Sequence, residues 1–198
     1  MVRRRFRQLR SRQDAPPRRD GNYSEPREVS EVWALDLALR RQISLYVPDH
    51  LAAPLDAVRR VLDPVQHALI PAHVTLCRDD EAALLSGALI TEALAGAPPI
   101  TLVFGRAIMF DGHGVLLPCV VGADQFMRLR ERLLGAGLLG TQKPHITLAH
   151  PRNPRAPGNT LDAAHKLPSE IALTFPGVNL IAQTPGEPWR VLHSFVFG

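Results

Sequence analysis

The tetrad His-x-Thr-Leu is written twice, as "HVTL" at residues 73–76 and "HITL" at 145–148, each time inside a short run with the alternation of a β-strand. Successive side chains on a strand point to opposite faces, so His73 and Thr75 share one side and Val74 and Leu76 the other. His145 and Thr147 are set against Ile146 and Leu148 in the same way. A strand of this kind needs an apolar interior behind it and a polar space in front. Two of them require a fold that gives both polar faces a use, with a histidine and a hydroxyl about 7 Å apart on each.

The surrounding sequence supplies such a fold. "ISLYV" (43–47) reads as a half-buried strand, and "HLAAPLDAVRRVL" (50–62) repeats Leu and Val at helical spacing before Pro64. "AHVTLCR" (72–78) is a short strand. "DDEAALLSGALITEALAG" follows as a helix, its leading acids suited to an N-terminus and its Gly96 with Pro98 and Pro99 to an end. "ITLVFGRAIMF" and "GVLLPCVVG", joined through "DGHG", read as a hairpin of two long strands. Next come an amphipathic helix at 123–138, the second short strand "KPHITLA", and a polar Pro/Asn loop to about Gly158. "IALTFPGVNLIAQ" and "PWRVLHSFVFG" read as a final strand pair. The His-x-Thr-Leu strand thus recurs beside a helix in each half, a weak internal duplication. Mixed elements and tight turns imply an α+β fold of largely antiparallel sheets.

The chain has 198 residues, 45% of them hydrophobic and 21% charged, enough for one domain with a full core. No run of about 18 apolar residues occurs, which argues against a membrane span. Cys77 and Cys119 form no disulfide framework and no secretory h-region precedes them, so a cytoplasmic monomer is the expectation. The formal charge of +4 is unevenly spread: residues 1–20 hold eight Arg against Asp14 and Asp20, leaving the rest weakly acidic. The segment 1–30 is expected to be an unstructured basic tail, a soluble extension or an RNA-contacting arm, with the ordered catalytic domain spanning 31–198. A weakly acidic domain lacks the global field that attracts a long polyanion, so phosphate recognition must be local and the ligand small or short.

Two imidazoles, with ordinary pKa values near 6.5, can stand as one neutral base and one protonated acid near neutral pH. That suits phosphodiester cleavage without a metal: one His takes a proton from the attacking hydroxyl or water, and the other protonates the departing ribose oxygen. Thr75 and Thr147 are placed to donate to non-bridging phosphate oxygens. Lys143, two residues before His145, adds a positive charge if the strand reaches it, and Tyr46 is a candidate for stacking on a base, with sheet packing as its ordinary alternative. His113 in its turn and His193 on an apolar face read as structural. A zinc site is the competing reading, disfavoured because no His pairs with another ligand at metal-binding spacing.

"HVTL" and "HITL", each with a lead-in containing Pro, resemble the 2H phosphoesterase superfamily, and within it the bacterial 2′-5′ RNA ligase and cyclic nucleotide phosphodiesterase branch. In element order the resemblance covers residues 40–198. It implies a bilobal α+β fold, with two pseudo-symmetric lobes of mainly antiparallel sheet, helices outside and a cleft between the sheets. It implies His73 and His145 as the catalytic pair and Thr75 and Thr147 as phosphate binders, with no cofactor. The implied ligands are nucleotides or short RNA ends bearing 2′,3′-cyclic phosphate, or 2′-5′ linkages, with ligation as the reverse reaction. Two departures stand out: "HITLAH" places His150 where many members of the branch have Arg, and "CRDDE" follows the first tetrad where an aromatic and a Gly are common. Strand alternation turns His150 away from His145 unless the strand has ended, so it is not counted as a third catalyst. Cys77 reads as a small buried residue. A module that binds RNA ends or nucleotides without turnover is the alternative, opposed by the presence of both His and both Thr.

Overall fold

The computed structural model describes residues 39–138, 140, 142–153 and 161–198. The basic segment 1–30, the start of order expected near Glu31 and the end of the polar loop at Gly158 lie outside the described residues. In chain order the elements begin with β1 (Arg40–Tyr46), α1 (Asp49–Leu62), α2 (Pro64–Leu69) and β2 (His73–Cys77). Two short helices, α3 (Asp79–Ala82) and α4 (Gly87–Leu94), lead to β3 (Ile100–Phe104), β4 (Ile108–Phe110) and β5 (Gly114–Val121). Helix α5 (Ala123–Leu134) precedes β6 (His145–Ala149), and β7 (Ile171–Phe175), β8 (Gly177–Gln183) and β9 (Arg190–Val196) end the chain. No helix among the described residues is long and apolar enough to cross a membrane.

The strands form two antiparallel sheets built to one plan. The first runs β2-β1-β8-β9. In the second, β6 pairs with one side of β5, while β3 and β4 lie end to end along its other side and β7 pairs with β3. In each sheet a strand leads through helix to its antiparallel neighbour, β1 through α1 and α2 to β2, and β5 through α5 to β6. Each His-x-Thr-Leu strand is therefore an outer strand, and the two approach one another. The helices pack crosswise, α1 on β6 and α5 on β2. Val74, Leu76, Ile146 and Leu148 point into one continuous core with Leu55, Leu62, Phe126 and Leu129. Hydrophobic burial behind both strands leaves their polar faces pointing the other way.

Three expectations change. The helix over 79–96 is two helices, because Ser86 begins a new one by accepting a hydrogen bond from the Leu89 amide at 3.3 Å. The first long strand of the hairpin is interrupted at Gly105, which separates β3 from β4. "IALTFPGVNLIAQ" is not one strand of a pair: β7 belongs to the second sheet and β8 to the first, with only Pro176 between them. Proline cannot donate to a ladder, and a Cβ at Gly177 would lie 2.1 Å from the Phe195 carbonyl oxygen, so this dipeptide is where the chain changes sheets. The exposed "DGHG" turn does form, with positive φ at Asp111 and Gly112.

The Gly177 contact makes a stability prediction. Gly177→Ala forces β8 and β9 apart and should lower the unfolding free energy by about 1–3 kcal/mol, read from urea denaturation. Gly137→Ala, with nothing within 4 Å of its Cβ position, is the control and should stay within about 0.5 kcal/mol of the parent.

Candidate active site

The motif strands enter the site through matching local structure. His73 lies opposite Tyr46 and Thr75 opposite Ser44; His145 lies opposite Pro118 and Thr147 opposite Leu116. The residue before each histidine accepts the same kind of bond, Val47 N–H to the Ala72 oxygen at 3.0 Å and Cys119 N–H to the Pro144 oxygen at 3.1 Å. The His73 ring donates from Nδ1 to the Pro71 carbonyl at 2.8 Å, and His145 donates from Nδ1 to the Lys143 carbonyl at 2.9 Å. Each acceptor lies two residues back, and the prolines help to fix it. Pro144 restricts Lys143 to extended backbone, and Ile70 before Pro71 is extended at φ −153° and ψ 135°. A carbonyl can only accept, so both Nδ1 atoms carry protons and both Nε2 atoms are left for chemistry.

Since the two rings come from different sheets, their relation depends on what ties the sheets together. At one end Arg130 of α5, fully buried, donates to the Leu76 carbonyl of β2 and to both carboxylate oxygens of Glu81 at 2.6 and 3.1 Å. Gln142, three residues before His145, donates to the Thr75 carbonyl at 2.7 Å and accepts from Arg130 at 3.3 Å. At the other end the buried Asp63, which caps α2, accepts from the His150 amide at 3.0 Å and from Asn153 Nδ2 at 3.1 Å. The polar clasps grip both ends of the paired motifs. Burial works to raise the Glu81 pKa, but bonds from Arg130 and the Arg78 amide, with the Arg130 charge, hold it below the usual carboxylate range.

A cleft of about 1000 Å³ opens over the polar faces and is lined by His73, Thr75, Lys143, His145 and Thr147 among others. Burial pushes the His73 pKa down to about 4; the Pro71 carbonyl opposes the shift, and Arg59, His145 and His150 add to it. One edge of the ring still faces the cleft, so the neutral form is the resting form of an accessible base. Arg59 is itself built in: its guanidinium is buried against the Ile70 carbonyl at 2.8 Å, beside the turn that holds His73. Lys143 reaches the cleft from ahead of β6 rather than from its face. Tyr46 does not line the cleft; its ring meets His73 edge-on at 6.3 Å between centroids, and burial raises its hydroxyl pKa to about 12. Cys77 is buried, with its thiol pushed up to about 12, and His193 lies exposed against Phe195 at 4.4 Å on β9.

Sequence reading passed over several lining residues. Trp189, from the β8–β9 loop, carries the Arg40 guanidinium 5.1 Å from its ring centroid, and Arg40 is held by Asp79 at 2.8 Å and Gln183 at 3.0 Å. Phe110 of β4 sits 6.2 Å from the His145 ring. The unusual "CRDDE" after the first tetrad supplies Asp79 for Arg40 and Glu81 for Arg130, and that departure was the available signal. For His150 the structure meets the condition left open in the sequence: β6 ends at Ala149, strand alternation no longer applies, and His150 lines the cleft. Among the described residues no group of three or more His, Cys, Asp or Glu is placed to hold a metal ion.

A family model described as the 2′-5′ RNA ligase superfamily matches residues 47–187. Among solved structures, TT0787 of Thermus thermophilus is 21% identical with a TM-score of 0.51, covering 80% of this chain and 97% of that one. LigT of E. coli, complexed with 3′-AMP, is 17% identical with a TM-score of 0.50, covering 81% and 98%. At these identities the likeness concerns the fold. No curated protein matches the chain.

Removing one partner of a buried ion pair strands the other, at a cost of about 3–5 kcal/mol. Arg130→Met should approach the lower end, because Glu81 keeps some solvent contact. The depressed Glu81 pKa gives the pH dependence: its contribution is present above the unfolded value of about 4.3 and lost as pH falls through the lower folded value. Urea titrations should show the variant's deficit at pH 7 shrinking below about pH 4.

Proposed function

We propose, since the chain belongs to the 2′-5′ RNA ligase superfamily, that it is a metal-independent phosphodiesterase acting on 2′,3′-cyclic phosphates or 2′-5′-linked ends of nucleotides and short RNA. The observation that carries this reading is the paired orientation of His73 and His145. Each ring has its Nδ1–H tied to the carbonyl two residues back, and both line one cleft beside a threonine.

In hydrolysis of a cyclic phosphate, neutral His73 takes a proton at Nε2 from water as the water oxygen attacks phosphorus. His145, protonated on both nitrogens, delivers its Nε2 proton to the departing ribose oxygen as the P–O bond breaks. Burial supports the base role for His73, because a group with a pKa of about 4 is unprotonated at neutral pH. The acid role falls to His145, the other ring of the pair, whose Nε2 is likewise left for chemistry. Thr75 and Thr147 donate to the non-bridging oxygens, and Lys143 adds positive charge near the second motif. In ligation a ribose hydroxyl takes the place of water: its oxygen attacks phosphorus as it gives up its proton, and the ring oxygen of the cyclic phosphate departs with a proton. Trp189 and Phe110 replace Tyr46 as the aromatic surfaces available to a base.

Hydrolysis of 2′,3′-cyclic nucleotides should persist in excess EDTA. His73→Ala and His145→Ala should each lower kcat/KM by about 10²–10⁴. Loss of turnover in EDTA, or no effect of either substitution, would reject the two-histidine mechanism. Activity requires neutral His73, so the acid limb of kcat/KM should fall near pH 4. A limb near the ordinary histidine value of about 6.5 would remove His73 as the base.

A further inference from the structure

His73, His145 and His150 all line the cleft, but the third ring is wired the other way. His150 Nδ1 accepts a hydrogen bond from the Arg152 amide at 3.0 Å. A nitrogen that accepts carries no proton, so the neutral ring holds its hydrogen on Nε2. His73 and His145 donate from Nδ1 and offer an Nε2 lone pair, whereas His150 offers an Nε2–H.

The ring is held from two sides. Its backbone N–H is fixed on the buried Asp63 carboxylate, and its Nδ1 is fixed by the turn that follows β6. Its Nε2–H has no partner among the described residues. The charged groups around it are Arg152, Asp63 and Arg40, and it is close enough to His73 for its charge to count there. Burial and the Arg152 charge lower the His150 pKa, Asp63 opposes them, and Arg40 adds to them, so the neutral donor persists at neutral pH. Arg152 also lines the cleft, its charge is felt at His150, and it forms no ion pair among the described residues.

We propose that His150 is a substrate-binding residue, a fixed neutral donor whose Nε2–H holds a phosphate oxygen together with the Arg152 guanidinium, and that it transfers no proton. The proposal rests on reading the cleft as a phosphodiesterase site. An anionic oxygen is the fitting acceptor, because a hydrogen bond to a charged group is the stronger kind and the positive charges of Arg152 and Arg40 are felt at this ring. Donation from a ring that stays neutral binds phosphate in ground and transition states alike, so the residue should act on affinity more than on the chemical step.

The test compares His150→Asn with His150→Gln. Asn keeps an acceptor for the Arg152 amide but has no group at the Nε2 position, while Gln reaches that position with an N–H. Binding of 3′-AMP is measured by calorimetry, and turnover of 2′,3′-cyclic AMP by steady-state kinetics. His150→Asn should weaken 3′-AMP binding and raise KM by about tenfold or more, with kcat within about threefold; His150→Gln should recover most of the affinity. Unchanged affinity in His150→Asn would overturn the assignment. So would a collapse of kcat in both variants at unchanged affinity, which would make His150 a proton-transfer group. A parent protein that binds 3′-AMP but turns over no cyclic nucleotide would reject the reaction proposed above, while the binding comparison would still decide on His150.

Discussion

Two histidines from different sheets can act on one phosphorus atom only if the sheets hold still relative to one another. Each motif strand is an outer strand, paired on one side and facing the other motif on its free side. A free strand edge leaves carbonyls and amides to be satisfied, and here lobe-crossing side chains do it. Arg130 and Gln142 bind the carbonyls of Leu76 and Thr75, and Asp63 binds the amide of His150. The same bonds that satisfy the backbone therefore fix the spacing of the imidazoles. Burying Arg130 is tolerable because Glu81 and two acceptors surround its guanidinium, although its Nε lacks a partner.

Local sequence carried much of this design, and long-range pairing carried the rest. Alternation in "HVTL" and "HITL" located both polar faces, since burial of Val74, Leu76, Ile146 and Leu148 leaves His and Thr no other side. The antiparallel α+β class followed from turn chemistry. Sequence order could not reveal that β7 and β8 part company at Pro176, because the deciding contact is between Gly177 and the Phe195 carbonyl. Nor could it place Arg40 over Trp189, or Arg130 beside Glu81 49 residues away. The side on which His150 falls turned on where β6 stops, one residue earlier at Ala149, which alternation alone does not tell.

The electrostatics of the cleft also run against the chain's overall balance. Arg40, Arg59, Arg78, Lys143 and Arg152 all reach its lining, and Glu81, the acid among those lining residues, is occupied by Arg130. Arg40, Arg59 and Arg78 are paired with Asp79, Asp56 and Asp80, so the positive charge that this weakly acidic domain keeps in the cleft rests chiefly on Lys143 and Arg152. Of these cations Arg59 reinforces burial in keeping His73 unprotonated in the resting state.

The exchange of strands at Pro176 sets the order in which the molecule can be assembled. The first sheet is started by β1 and β2 near the beginning of the described chain, yet its other two strands, β8 and β9, are synthesised after every strand of the second sheet. Until then the edge of β1 that β8 covers has no partner among the described strands, and two strands alone make a marginal sheet. The second sheet waits as well, since β7 arrives just before β8. Despite the repeated motif, each sheet thus depends on strands far apart in sequence, the long-range pairing that makes folding slow.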